Sequence, residues 1–297
     1  MQEYKGKPME VPPEGLDGLR RKGLEILLYF KDICEKNNLK FYFCGGCCIG
    51  ALRHGGFVPW DDDVDVFMPR DDYEKLAKIW NEQADTKKYS YVRTTEDDFT
   101  RLLIAGISDN ETTFIKTRQW DLDTNHGVRL DIIPLDGCPS SRFKRKIQMM
   151  WALLYSMFMV REATDSKGKL VYIASKILLA LAITDKNRYR FAKFAERKMS
   201  KYKISDCDKI TELCTWFVYM RNEYPKSAFE SQLYVDFEGY KLPIPVGYDE
   251  YLKMAFGDYM QMPPEEKRVA KHDIVYYDLE RPYTDFKGKY YCVEQDD

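Results

Sequence analysis

The sequence predicts an α+β fold, a small mixed sheet flanked by helices and followed by an added helical layer. Three observations carry this expectation. Short runs rich in β-branched and aromatic residues, separated by Gly, Pro and Asp turns, fill the chain from Lys40 to Ile133. Helical periodicity brackets them, before Asn37 and again from Ser140 to about Tyr224. At 297 residues with 44% hydrophobic content the chain can bury a sizeable core, and it shows no internal repeat or low-complexity linker.

Taken in order, Leu16, Leu19, Gly23, Ile26, Leu27, Phe30, Ile33 and Cys34 recur at helical spacing after a Pro-rich start, and Asn37-Asn38 ends that helix. "KFYF", residues 40–43, reads as a short strand entering Gly45-Gly46. Cys47 to Arg53 reads as a short helix stopped by Gly55-Gly56, and Val64 to Met68 as a strand. Asp71 and Glu74 have the spacing of a capping box ahead of a helix reaching about Asn81. Strands follow near Tyr89–Thr94, Leu102–Ile107, Thr113–Thr117 and Gly127–Ile133, the last closed by Pro134. The helical layer holds apolar runs around Trp151 and Leu179, and the tail from Asp236 contains turns and a short helix near Tyr248–Phe256. The expected organisation is a core over 1–140, a helical layer over 141–235, and a tail over 236–297 that packs back onto the core.

Lys plus Arg (46) nearly cancel Asp plus Glu (48), which excludes a basic nucleic-acid-binding carpet, so no nucleic-acid partner is expected. The N-terminal residues lack the pattern of a secretory signal, and the cytoplasm is the expected location. The longest apolar run, Ile147 to Val160, has 14 residues, short of the roughly 20 that span a bilayer. The run is basic at one end and rich in Met, Trp and Phe. A buried helix is its first reading and a peripheral membrane contact its second. The eight cysteines follow no disulfide framework, and Cys44, Cys47 and Cys48 read as small buried thiols rather than half of a zinc site or a redox pair.

The chemistry concentrates in "PWDDDVDVF", residues 59–67. Residues two apart share a face of a strand, so if the strand begins early Asp61, Asp63 and Asp65 point one way while Asp62, Val64 and Val66 point the other. Carboxylates at i and i+2 suit a hard divalent cation, and Mg²⁺ takes one or two carboxylates with phosphate oxygens and water. A calcium loop is excluded, because the sixth position lacks Gly and the twelfth lacks Glu. Asp131, between Leu130 and Ile132 in "VRLDIIPLDG", is costly to bury without a partner and completes a three-carboxylate set if its strand neighbours the first. There it would hold metal and accept a proton from an attacking hydroxyl. Gly45-Gly46 ahead of a short helix offers backbone amides to a phosphate. Arg53 offers a guanidinium fork to neutralise one. The histidines, His54, His126 and His272, lack ligand spacing, and His126 is the one nearest the Asp131 strand.

"CGGCCIGALRHGGFVPWDDDVDVFMPRDDYEKL" resembles the signature of the LicD family of phosphocholine transferases, to which fukutin and fukutin-related protein are also related. "LDIIPLDG" resembles its second motif and "YDEYLKMAFGDYMQMPPEEKR" its C-terminal motif. The resemblance implies a nucleotidyltransferase-like sheet in which Gly45-Gly46 is the turn, Asp63 and Asp65 the metal pair, Asp131 the third carboxylate, and Asp61 an accompanying acid. It further implies Mg²⁺ or Mn²⁺ as cofactor and transfer of a phospho-alcohol from a CDP-alcohol such as CDP-choline to a hydroxyl of a cell-surface glycan, with release of CMP. Such acceptors include lipopolysaccharide and teichoic acid, and a lipid-linked acceptor would place the protein at the inner face of the membrane. Two alternatives stand beside this: transfer of a nucleoside monophosphate onto a hydroxyl, and an inactive membrane-peripheral assembly protein.

Overall fold

The computed structural model describes residues 4–160, 184–268 and 273–293. The apolar run around Leu179 and His272 lie outside them. The chain forms two compact units, one of residues 1–92, 106–132 and 228–297, the other of residues 93–105 and 133–227.

In the first unit, α1 (Pro13–Lys36) buries Leu19, Gly23, Ile26, Leu27, Phe30, Ile33 and Cys34, the stripe its 3.6-residue period predicts. β1 (Tyr42–Phe43) leads into α2 (Gly45–His54) and then β2 (Val64–Pro69), which pairs antiparallel with β1, Tyr42 opposite Phe67. α2 starts two residues earlier than expected, taking Gly45 and Gly46 as its first residues, and Gly55 caps it in the left-handed region at φ 67°. α3 (Arg70–Gln83) follows without its capping box: Pro69 is the N-cap, and Glu74 pairs instead with Arg70 at 3.3 Å. Asp71 and Asp72 face the positive helix end from the first turn. β3 (Tyr89–Val92), β4 (Ala105–Asp109) and β6 (Arg129–Cys138) complete the sheet in the order β1-β2-β6-β4-β3, with β5 (Thr113–Lys116) between β4 and β6 in the chain.

β6 outruns its expected end at Pro134 by four residues. The proline sits just before Leu135, where antiparallel pairing with β7 (Lys209–Glu212) begins, so its missing N–H falls at a change of partner. In the second unit, α4 (Arg142–Val160) packs on α5 (Asp185–Met199) around Ala152, Tyr155, Phe158, Ala192, Ala195 and Met199. The long helices of this unit end with α5 at Met199. The chain then enters β7, the single turn α6 (Phe217–Met220) and β8 (Tyr224–Pro225), which pairs with β7. Arg145 ties this unit together, donating to Thr211 Oγ1 at 2.9 Å and to the Met220 carbonyl at 2.6 Å.

Beyond Ala228 the chain returns to the first unit as a hairpin of β9 (Gln232–Phe237) and β10 (Tyr240–Pro245), then α7 (Tyr248–Phe256) and β11 (Ile274–Asp278), which pairs with β5. Tyr42 Oη donates to the Phe229 carbonyl at 2.6 Å. Phe43 meets Phe237 and Phe67 meets Tyr251, with ring centroids 4.8 and 5.4 Å apart. No described helix is long and apolar enough to cross a membrane.

Candidate active site

The acidic loop between α2 and β2 is held from outside itself. Arg20 of α1 reaches across it, its Nε donating to the Asp61 carbonyl at 2.9 Å and its Nη2 to the Pro59 carbonyl at 2.5 Å. From α2, Cys47 bridges the next two acids: its thiol donates to the Asp63 carbonyl at 3.7 Å, and its sulfur accepts from the Asp65 amide at 3.4 Å. So fixed, Asp61, Asp63 and Asp65 stay partly open to solvent while Asp62, Val64 and Val66 are buried, the alternation of an extended segment. Gly46 is where the acids meet the helix start, because a Cβ there would run into the Asp61 carboxylate.

Asp131 lies on β6, the strand beside β2, on the half-open face it shares with Arg129 and Ile133. Arg129 grips both its oxygens, Nε to Oδ1 at 2.5 Å and Nη2 to Oδ2 at 3.3 Å.

The charges of these groups act on one another. Burial raises Asp61 to about 8, helped by the charge of Asp63 and a hydrogen bond with it and by Asp62, against the opposing Arg20. Burial likewise holds Asp65 well above the usual carboxylate range, reinforced by the charges of Asp63, Asp131 and Asp61, while Lys116 of β5 opposes. Asp65 thus feels both the acid two residues before it and the acid on the neighbouring strand. One carboxylate oxygen from each of Asp61, Asp62 and Asp63 lies within 4.8 Å of the others. Three carboxylates crowded this way repel one another, and a hard divalent cation is the group whose charge and oxygen preference suit them. The residues fit a metal.

The other expected site residues are placed less uniformly. The Gly45 amide is engaged by Tyr251 Oη at 2.9 Å, and Gly45 takes φ 47°, a left-handed conformation suited to glycine. Arg53 lies at the opposite end of α2, donating to the Tyr259 and Gln261 carbonyls at 3.0 and 3.3 Å. There it stands 6.0 Å from the centre of the Trp60 indole, and Arg268 stands 5.9 Å from the same ring. Burial lowers the Arg53 pKa, and the charge of Arg268 lowers it further. His126 is buried, its Nε2 at 3.0 Å from the Leu122 carbonyl and its ring against Tyr291; burial pushes it down to about 4, so it stays neutral. The Cys44, Cys47 and Cys48 thiols are buried, and burial raises Cys47 and Cys48, which leaves them unreactive.

Sequence reasoning missed Arg20, Lys116, Arg129, Trp60 and Arg268. Arg129 alone carried a local signal, a cation two residues from the buried acid and so on its side of the strand. A shallow pocket lined by Asp62, Asp63, Lys116, His126 and Arg129 opens beside the acids.

A mixed sheet with Asp65 on one strand and Asp131 on its neighbour, Asp61 and Asp63 in the loop that leads into the first, and a Gly-Gly helix start has the make-up of a nucleotidyltransferase-like fold. The chain belongs to the LicD family. Residues 38–152 match the family described as LicD/FKTN/FKRP, nucleotidyltransferase domain. The chain is 30% identical over 256 residues to the lipopolysaccharide cholinephosphotransferase LicD of Haemophilus influenzae, covering 84% of this chain and 92% of that one. It is also 26% identical over 122 residues to the human ribitol 5-phosphate transferase FKRP, covering 40% of this chain and 23% of that one.

Proposed function

We propose that the protein transfers a phospho-alcohol, such as phosphocholine, from its CDP conjugate to a hydroxyl of a cell-surface glycan, releasing CMP. One observation supports this reading most directly: the charges of Asp63, Asp131 and Asp61 all bear on Asp65, in a chain similar along most of its length to a lipopolysaccharide cholinephosphotransferase. The acceptor hydroxyl oxygen attacks the phosphorus bearing the alcohol, the bond from that phosphorus to the CMP oxygen breaks, and the hydroxyl proton passes to a carboxylate of the cluster. CMP leaves carrying the electron pair of the broken bond.

Asp63, Asp65 and Asp131, with Asp61 beside them, would hold Mg²⁺ or Mn²⁺, which when bound neutralises diphosphate charge. The chain's own residues do the positioning. Cys47 and Arg20 fix the backbone that carries the acids, and Arg129 orients Asp131. Lys116 sets a cation near Asp65. Arg53 and Arg268, flanking Trp60, form a cationic patch suited to an anionic part of donor or acceptor. The acceptor on this reading is a lipid-linked glycan presented at the inner face of the membrane.

The test is release of CMP from CDP-choline and related CDP-alcohols with a glycan acceptor and Mg²⁺. Label on the cytosine should stay with CMP; its appearance on the acceptor would instead establish nucleotidyl transfer. Undiminished release in Asp63→Ala and Asp65→Ala would overturn the site, and no release with any CDP-alcohol would overturn the reaction.

A further inference from the structure

The second unit has a charge at odds with the rest of the chain. α4 and α5 together carry ten Lys and Arg against two Asp and Glu, in a protein whose net charge is −2. Many of these cations are committed. Arg190 and Lys186 pair with Glu96, Arg188 with Asp185, and Lys193 with Glu196. Arg197 and Lys198, at the C-terminal end of α5, pair with no carboxylate among the described residues. Both lie over one ring, Phe194, at 5.9 and 5.2 Å from its centre.

That ring is itself out of place. Phe194 is 42% exposed and Phe191, one turn earlier on the same helix face, is 50% exposed. Each is propped from beneath by α4, Phe194 edge-on against Trp151 at 5.5 Å and Phe191 stacked on Phe158 at 5.4 Å. The rings are therefore held outward in fixed positions. Water gains nothing from two supported, half-exposed phenyl rings, whereas a surface that is apolar just below an anionic layer matches rings and cations together.

We propose that the outward face of α5, centred on Phe191, Phe194, Arg197 and Lys198, docks onto an anionic phospholipid bilayer, the rings entering the acyl boundary and the cations meeting lipid phosphates. The inference does not depend on the transfer reaction. A nucleic acid also takes cations with aromatics, but its binders line a groove that tracks the strand backbone, and these residues stand on the outer side of a helix.

The experiment is flotation of the full chain with vesicles of phosphatidylcholine alone and of phosphatidylcholine with 30% phosphatidylglycerol, across a salt series. Binding is expected to the anionic vesicles only, weakening as salt rises. At about 1 kcal/mol per cation near the surface, Arg197→Gln with Lys198→Gln should weaken partitioning about thirtyfold. Phe191→Ser with Phe194→Ser should weaken binding at high salt, where electrostatics is screened. Lys75→Gln with Lys78→Gln, which removes two cations from α3, should change partitioning less than threefold, and circular dichroism checks that each variant is folded. The proposal fails if wild-type protein stays at the bottom of the gradient with anionic vesicles, or if the α5 and α3 pairs weaken binding equally. It fails also if a single-stranded oligonucleotide binds the face while vesicles do not.

Discussion

Gly46→Ala separates the site from the fold. The added methyl group would overlap Asp61 Oδ2, with Asp61 Cγ at 3.2 Å and Oδ1 at 3.8 Å, so the carboxylate must swing away by about 1 Å. Asp61 is the end of a side chain and can move without dragging the sheet. Relief of that overlap costs about 1–3 kcal/mol, while alanine in place of glycine in a helix returns about 1 kcal/mol. Stability should therefore change by no more than about 2 kcal/mol. Activity should not be spared, since a misplacement of that size in a catalytic group costs about 100-fold. Gly45→Ala is the counterpart. Its φ of 47° makes alanine strained by about 1–2 kcal/mol, yet the nearest atom to a new Cβ is Phe256 Cζ at 4.0 Å, so no acid moves. Measured by kcat for CMP release and by urea midpoint, Gly46→Ala should be slow and nearly as stable as wild type, and Gly45→Ala less stable and nearly as fast. A Gly46→Ala enzyme within threefold of wild-type kcat would refute the placement of Asp61 in the machinery, as would a Gly45→Ala enzyme equally slow.

Asp65→Asn should abolish CMP release yet stabilise the protein in chelator by about 1–3 kcal/mol, seen as a higher urea midpoint, because it removes one of the crowded carboxylates. A lowered midpoint would contradict the crowding. Arg268→Gln should raise KM about tenfold with little effect on kcat, the loss of about one charged hydrogen bond; an unchanged KM removes Arg268 from substrate binding. In the second unit, burial raises Glu212 to about 7, with the Tyr224 hydrogen bond opposing. The folded protein binds this proton more tightly than the unfolded chain does, so the associated stability is full below the usual carboxylate range and is lost as pH rises through 7. Urea denaturation from pH 4 to 8 should show a decline of at most about 3 kcal/mol from this group, and Glu212→Gln should flatten it.

How much of this was readable in the chain depends on the range over which each interaction acts. The alternation of burial over residues 61–66 is a local property of extended backbone and was legible from spacing, whereas β2 begins only at Val64 and an Asp62 oxygen joins those of Asp61 and Asp63. The stripe of α1 and the position of β2 were legible for the same reason. Errors arose where a distant partner overruled a local signal. Glu74 left its capping position for Arg70, and β6 ran past Pro134 because β7, some 70 residues on, supplies a new partner at Leu135. The helical periodicity after Ser140 gave way at Met199, beyond which β7 finds β6.

The residues that make the acidic cluster tenable were the least legible, and the reason is physical. Like charges brought this close cannot hold themselves in place, so the groups that fix them must come from segments that do not share their repulsion. Arg20 acts on loop carbonyls about 40 positions away, and Cys47 acts 16 and 18 positions away through weak sulfur hydrogen bonds that leave no compositional mark. Both contacts are made to backbone rather than to the carboxylates. The oxygens of Asp61, Asp62 and Asp63 come close to one another, and Asp61 hydrogen-bonds with Asp63. Arg129 differs, for it takes the Asp131 oxygens directly and meets that charge from within its own strand. The division suggests an order of strength among the acids. With its charge met by Arg129, Asp131 should contribute less to cation affinity than Asp65, and removing it should damage the reaction more than the binding of metal.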